Sequence, residues 1–126
     1  MRLLLDTHVF LWAVTDHRRL SKGGRKLMLE ASEIYVSAAS IWEITIKRRL
    51  GKIDGDPSAL AAAIVESGFH PLSVTPAHAA GVELLADQYR DPFDRLLIAQ
   101  AVSEPLRLIT ADAQLAKYSE LVTIIA

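Results

Sequence analysis

A chain of 126 residues, 51% of them hydrophobic, fits one compact domain spanning 1–126 with a sizeable core, and excludes a disordered or fibrous protein. It has no cysteine, which excludes disulfides, thiolate catalysis and Cys-rich zinc sites. The net charge of −1 hides a segregation: residues 18–52 carry nine Lys or Arg against three Glu, and the rest of the chain is acidic by seven. Such a distribution suits either a polyanion partner beside an acidic site or a set of solvated helix faces.

The first predicted element is a short strand, "RLLL", and Asp6 follows it directly. An acid so early leaves no room for the apolar region of a signal peptide, and no uncharged apolar run approaches the length of a membrane span. The expectation is a cytoplasmic protein with no membrane association. A helix over 8–15 comes next, with His8 at its start, then one over 21–32 opened by Ser21. The strand "IYVS" leads into a helix over 39–50, which carries Glu43 in its first turn or two. Asp56-Pro57 opens a helix over 57–67 and Gly68 closes it. After the strand "PLSV", Pro76 begins a helix over 76–87. The stretch "DPFDRLLIAQA" then starts a helix over 92–103, with Pro92 just inside the start. The strand "LRLIT", a single Ala, Asp112, a short helix at 113–117 and the strand "VTIIA" complete the chain.

Four of the five strand candidates are nearly continuous in apolar residues, as strands covered on both faces are. Strands separated by helices require crossovers, hence an α/β fold with a mainly parallel sheet and helices on both faces. Ligands of such sheets bind beyond the carboxyl ends of the strands. Asp6, Glu43 and Asp112 belong at that edge, and Asp94 joins them because its helix must run from that edge into the next strand.

Each acid also has a purely structural reading. Asp94 can complete a capping box with Asp91, and Glu43 can do the same for Ser40. Glu43 can pair with Lys47 one turn later, and Asp6 and Asp112 can serve as turn or cap residues. Together, however, four carboxylates on one edge repel one another, and no run of Lys or Arg is placed to neutralise all of them. A divalent cation makes such a cluster tolerable. Oxygen-only ligands indicate Mg²⁺, with Mn²⁺ as a substitute, whereas His8, His17, His70 and His78 lack the spacing of a zinc site. Held against a polyanion, such an ion suits phosphodiester hydrolysis. Phosphate loops, GxGxxG, GxSxG and HExxH are all absent from the sequence.

"LLLDTHVFLWAV", "VSAASIWEITIKRRLGKI", "DPFDRLLIAQA" and "LITAD", in that order along almost the whole chain, resemble the PIN-domain ribonucleases, and more narrowly the VapC toxins of type II toxin–antitoxin systems. The resemblance implies a PIN-like three-layer α/β/α sandwich around a mainly parallel sheet of about five short strands. It implies a Mg²⁺- or Mn²⁺-dependent endoribonuclease that hydrolyses RNA with metal-activated water. It also implies a homodimer and inhibition by a cognate VapB-type antitoxin, whose C-terminal segment covers the active site. The family's acidic quartet falls on Asp6, Glu43, Asp94 and Asp112, and Thr110 matches a Thr or Ser two positions before the last acid. Tyr89 departs from the pattern, since many relatives have His there. Asp91 is then the helix cap, and Asp94 the functional acid at the positive end of the helix dipole. Arg95 either touches phosphate or screens the cluster. Phe10, Trp12 and Trp42 read as core or interface residues rather than base-stacking platforms.

Two rival readings have recognisable requirements. A receiver-like phosphoacceptor switch needs paired acids after the first strand, an Asp after the central strand and a Lys after the last. A haloacid-dehalogenase-like phosphatase needs Asp-x-Asp where this chain has "DTH". A degenerate PIN domain acting only as a binding partner would have no use for an intact acidic quartet.

Overall fold

The computed structural model describes residues 1–85 and 91–125. Tyr89 and the expected end of the 76–87 helix lie outside them. Five strands, β1 (Arg2–Leu5), β2 (Glu33–Ser37), β3 (His70–Leu72), β4 (Arg107–Thr110) and β5 (Val122–Ile124), form one sheet in the order β3-β2-β1-β4-β5. Every pairing is parallel. Helices α1 (Thr7–Val14), α2 (Lys22–Glu30), α3 (Ala38–Arg49), α4 (Pro57–Glu66), α5 (Pro76–Gly81) and α6 (Pro92–Ser103) connect the strands, with 3₁₀ turns at Val82–Leu84 and Ala113–Lys117.

The pleat explains why the central strands are apolar throughout. Successive side chains of β1 point to opposite faces, so Leu3 and Leu5 enter one core and Leu4 the other. The register carries this outward: Leu5 is level with Val36 and Ile109 on the first face, and Leu4 with Leu108 on the second. Val9, Phe10, Ile44 and Ile64 from α1, α3 and α4 cover the first face; Leu97, Ile98 and Ala101 from α6 cover the second. The result is the expected α/β/α layering.

The boundaries depart from expectation where side chains compete for the backbone. The third strand forms at His70–Leu72 rather than over "PLSV": Leu72 is level with Ser37, where β2 ends and α3 begins, and the Ser73 carbonyl accepts from Gln100 Nε2 at 3.3 Å instead. Pro71, which has no amide proton, is tolerated because β3 is at the sheet's edge. The expected 76–87 helix ends as α5 at Gly81 and tightens into the 3₁₀ turn. Ser37, not Ser40, caps α3, so Glu43 falls in the second turn and the Ser40–Glu43 capping box does not form. Among the described residues, no helix is long and apolar enough to cross a membrane.

Candidate active site

The carboxyl ends of β1, β2 and β4 lie side by side, and the chain leaves each of them carrying polar groups. Asp6 follows β1; its amide donates to the Ile109 carbonyl at 3.0 Å, which fixes it beside the end of β4. Its side chain caps α1, accepting from Val9 N at 2.8 Å, so the cap reading of Asp6 holds. The other carboxylate oxygen accepts from the Thr110 hydroxyl, and that hydroxyl in turn accepts from Asp112 N at 3.1 Å. Thr110, fully buried, therefore joins Asp6 to Asp112. Asp112 is itself a cap, accepting from Gln114 N at 3.0 Å.

Glu43 reaches the same edge from α3 and is buried. The Thr7 hydroxyl donates to its Oε1 at 2.5 Å, and Thr7 Oγ1 lies 3.1 Å from Ser40 Oγ. Lys47 donates to its Oε2, the one-turn ion pair expected from spacing. Burial lowers the Lys47 pKa, but the bond and charge of Glu43, with the charges of Asp91 and Asp94, outweigh this and leave it raised. Lys47 thus supplies positive charge to the acids. Thr7 carries no signal of its own in the sequence beyond directly following the strand-end acid.

Asp94 enters from α6. Asp91 caps that helix, accepting from Phe93 N at 2.9 Å and Asp94 N at 3.2 Å. Asp94 therefore sits in the first turn, near the positive end of the dipole. Its carboxyl is nonetheless pushed up to about 7, first by burial and then by the charges of Asp91, Glu43, Asp6 and Asp112. Burial likewise raises Asp6, against the bonds from Thr110 and Val9 that lower it. All four predicted acids therefore share one electrostatic site. Arg95 donates to the Val82 carbonyl at 3.3 Å, tying α6 to the preceding turn. His8 is exposed, Phe10 is core and Trp12 packs against the core; Trp42 is 61% exposed, which removes the core half of its core-or-interface reading.

A separate cavity of about 570 Å³, lined by Leu20, Met28, Ile34, Phe69 and His70 among others, opens near the starts of β2 and β3. That is the edge away from the acids, and ligands of open α/β sheets bind at the carboxyl edge.

The donor set fits a hard divalent cation: carboxylate oxygens only, those of Asp6 and Glu43 on buried side chains, with Asp94 holding a proton up to about neutrality. Among the described residues, no three His, Asp or Glu already stand in a ligating arrangement. Asp6 and Glu43 are instead engaged by hydroxyls, an amide and Lys47. A cation would compete with Lys47 and the Asp94 proton for the carboxylates.

The cap role of Asp91 is separable from charge. Asp91→Ala removes the acceptor of two amide protons and is expected to cost about 1 kcal/mol of stability with or without divalent metal. Urea denaturation in both conditions checks this.

The PIN domain family model matches residues 3–121. Ribonuclease VapC22 of Mycobacterium tuberculosis is 30% identical over 115 residues, covering 90% of this chain and 88% of its own. Among solved structures, VapBC2 from Rickettsia felis bound to a promoter DNA fragment has a TM-score of 0.71 at 14% identity, covering 99% of this chain and 98% of the other. A toxin–antitoxin complex from Klebsiella pneumoniae has 0.69 at 19%, covering 96% and 95%. Mycobacterium tuberculosis VapC20, described as a sarcin–ricin loop cleaving toxin, has 0.61 at 16%, covering 94% and 97%. With the sheet order, the acids at its carboxyl edge and these matches together, the chain belongs to the PIN-domain family, on its VapC branch.

Proposed function

We propose that the protein is a Mg²⁺- or Mn²⁺-dependent endoribonuclease, the toxin of a type II toxin–antitoxin pair, acting in the cytoplasm as a single PIN domain. The observation that carries this reading is the convergence of Asp6, Glu43, Asp94 and Asp112 on one site, where Asp94 feels the charge of the other three. Its kinship with a protein named as a ribonuclease supports RNA as the substrate class. The toxin–antitoxin complexes among its structural neighbours support a VapB-type antitoxin as partner. Homodimerisation is part of the same proposal. The receiver-like alternative would need paired acids where β1 leads only into Asp6, Thr7 and His8.

In this reading the four carboxylates hold the metal ion, which when bound supplies a polarised water and offsets charge developing on the phosphate. Thr110 orients Asp6 and the Asp112 backbone through one hydroxyl. Thr7 and Lys47 fix Glu43. Asp91 seats the first turn of α6 so that Asp94 meets the others. Arg95 steadies that helix against the preceding turn.

The test is cleavage of total RNA by the purified protein with EDTA, then with added Mg²⁺ or Mn²⁺. Cleavage should vanish in EDTA and return with either ion. Undiminished cleavage in EDTA would refute the metal site, and no cleavage under any condition would leave a binding-only PIN domain.

Lys47 is held by the buried Glu43, so the basic surface that faces substrate is assigned to its exposed neighbours Arg48, Arg49 and Lys52, of which Arg48 also reaches the exposed Asp56 at 3.4 Å. Changing these three to Gln is expected to weaken RNA binding. Every phosphate that is no longer neutralised should reduce the log–log salt slope by about 0.7 for a single strand. Fluorescence anisotropy across a salt series checks it; an unchanged slope would make them a solvated face.

A further inference from the structure

Trp42 and Phe93 stand immediately before two of the candidate acids, Glu43 and Asp94, on different helices. Their rings meet edge to face, 5.4 Å between centroids at 80°. Trp42 is 61% exposed, and with the exposed Ile46 on the same helix and Leu50 at its C-cap it makes a contiguous apolar stripe of the kind that marks a contact surface. In this edge-to-face arrangement Phe93 braces the indole without covering all of it. Arg49, seven residues after Trp42, returns to the same side of α3 about 10 Å away and is exposed. An aromatic plate, then a cation, beside a candidate phosphodiester-cleaving site is the pattern of a single-strand binding track, in which bases stack on rings while cations meet phosphates.

We propose that Trp42 is a substrate-binding platform: its indole, braced by Phe93, stacks on an unpaired nucleobase of RNA held at the acidic site. The stack requires an unpaired base, since a base paired within a helix does not offer its face. The proposal rests on the nuclease reading above.

The experiment uses a Trp12→Phe protein, in which Trp42 is the only tryptophan, and a short single-stranded RNA of mixed sequence, in EDTA. Indole fluorescence should be quenched saturably. In the otherwise native chain, Trp42→Ala should raise Kd about tenfold, equivalent to about 1.4 kcal/mol, within the range of one base–aromatic stack. Trp42→Phe should recover most of the loss, and Leu50→Ala should change nothing. With metal present, the Trp42→Ala defect should appear in KM with kcat nearly unchanged. Trp42 is largely exposed, so its variants should melt close to wild type, losing only the edge contact with Phe93. If wild type cleaves RNA while Trp42→Ala binds and cleaves equally well, stacking is wrong and the nuclease reading stands. If Trp42→Ala instead converts an oligomer to monomers without altering the RNA affinity per chain, the stripe is a protein interface and the proposal falls. If wild type neither binds nor cleaves RNA, the nuclease reading fails and takes this proposal with it.

Discussion

Asp6→Asn is expected to abolish metal-dependent RNA cleavage while leaving the fold intact, at a modest stability cost from the buried Thr110 hydroxyl proton that loses its acceptor. The separation follows from what each oxygen of Asp6 does. One caps α1 by accepting from Val9 N, and the amide oxygen of Asn performs that task as well. The other accepts from the Thr110 hydroxyl. The NH₂ of Asn donates instead, and the hydroxyl, which still has a lone pair beside the one used by Asp112 N, turns to accept. The negative charge disappears, and that is the property a hard cation requires. Steady-state cleavage at saturating Mg²⁺ measures the effect. A variant retaining more than about a tenth of the wild-type rate, a loss under about 1.4 kcal/mol in barrier, would remove Asp6 from the metal site.

The fold is legible in the sequence because burial on both faces leaves a compositional mark. "RLLL" reads as a central strand since neither Leu3, Leu4 nor Leu5 has solvent to face. Ser21, Asp56 and Asp91 are legible as caps because a side-chain oxygen ahead of a helix has a definite task, and each accepts from an amide of the first turn. The bounds of β3 escape local pattern because its partner strand stops at Ser37, where the chain turns into α3, and the Ser73 carbonyl is taken by Gln100, 27 residues away. Asp6 and Asp112 are assignable to the carboxyl edge because each follows a strand within two residues. How the acids are kept is not legible. The Thr7 hydroxyl on Glu43 and the Thr110 hydroxyl shared by Asp6 and Asp112 depend on which strands are neighbours, and strand order is not written in local pattern. Trp42 stays ambiguous for a similar reason. Sequence alone reads Trp42 as core or interface, and only the packing of α3 against α6 leaves it exposed with its ring against Phe93.

Asp94 is where stability and activity should part. Its carboxyl is pushed from the ordinary 3.8 up to about 7, by burial first and then by Asp91, Glu43, Asp6 and Asp112. Between those values the folded chain keeps a proton that the unfolded chain has released. Metal-free stability therefore falls as pH rises through that window; the penalty is absent below the unfolded pKa and complete above the folded one. A shift of about three units corresponds to about 4 kcal/mol for an isolated group, and because Asp94 is only partly buried, solvent screening reduces this to about 2 kcal/mol. Asp94→Asn removes the penalty. In EDTA it should match wild type only at about pH 3.5, below the unfolded pKa, then gain on it as pH rises and exceed it near pH 8, even though the favourable charge at the helix dipole is gone. Metal reverses the order. At a Mg²⁺ or Mn²⁺ concentration about ten times its dissociation constant, wild type should gain about 1.4 kcal/mol, a melting-point rise of several degrees. The variant should show little of this gain and no cleavage. Because the ion must displace the Asp94 proton, the wild-type gain at a fixed low metal concentration should grow as pH rises through about 7. Melting curves of both proteins, in EDTA and at increasing metal, at both pH values, read all of this. Should Asp94→Asn instead lose a kilocalorie or more in EDTA and respond to metal as wild type does, Asp94 is part of the α6 cap alone. The carboxylates of Asp6, Glu43 and Asp112 would then have to hold any ion without it.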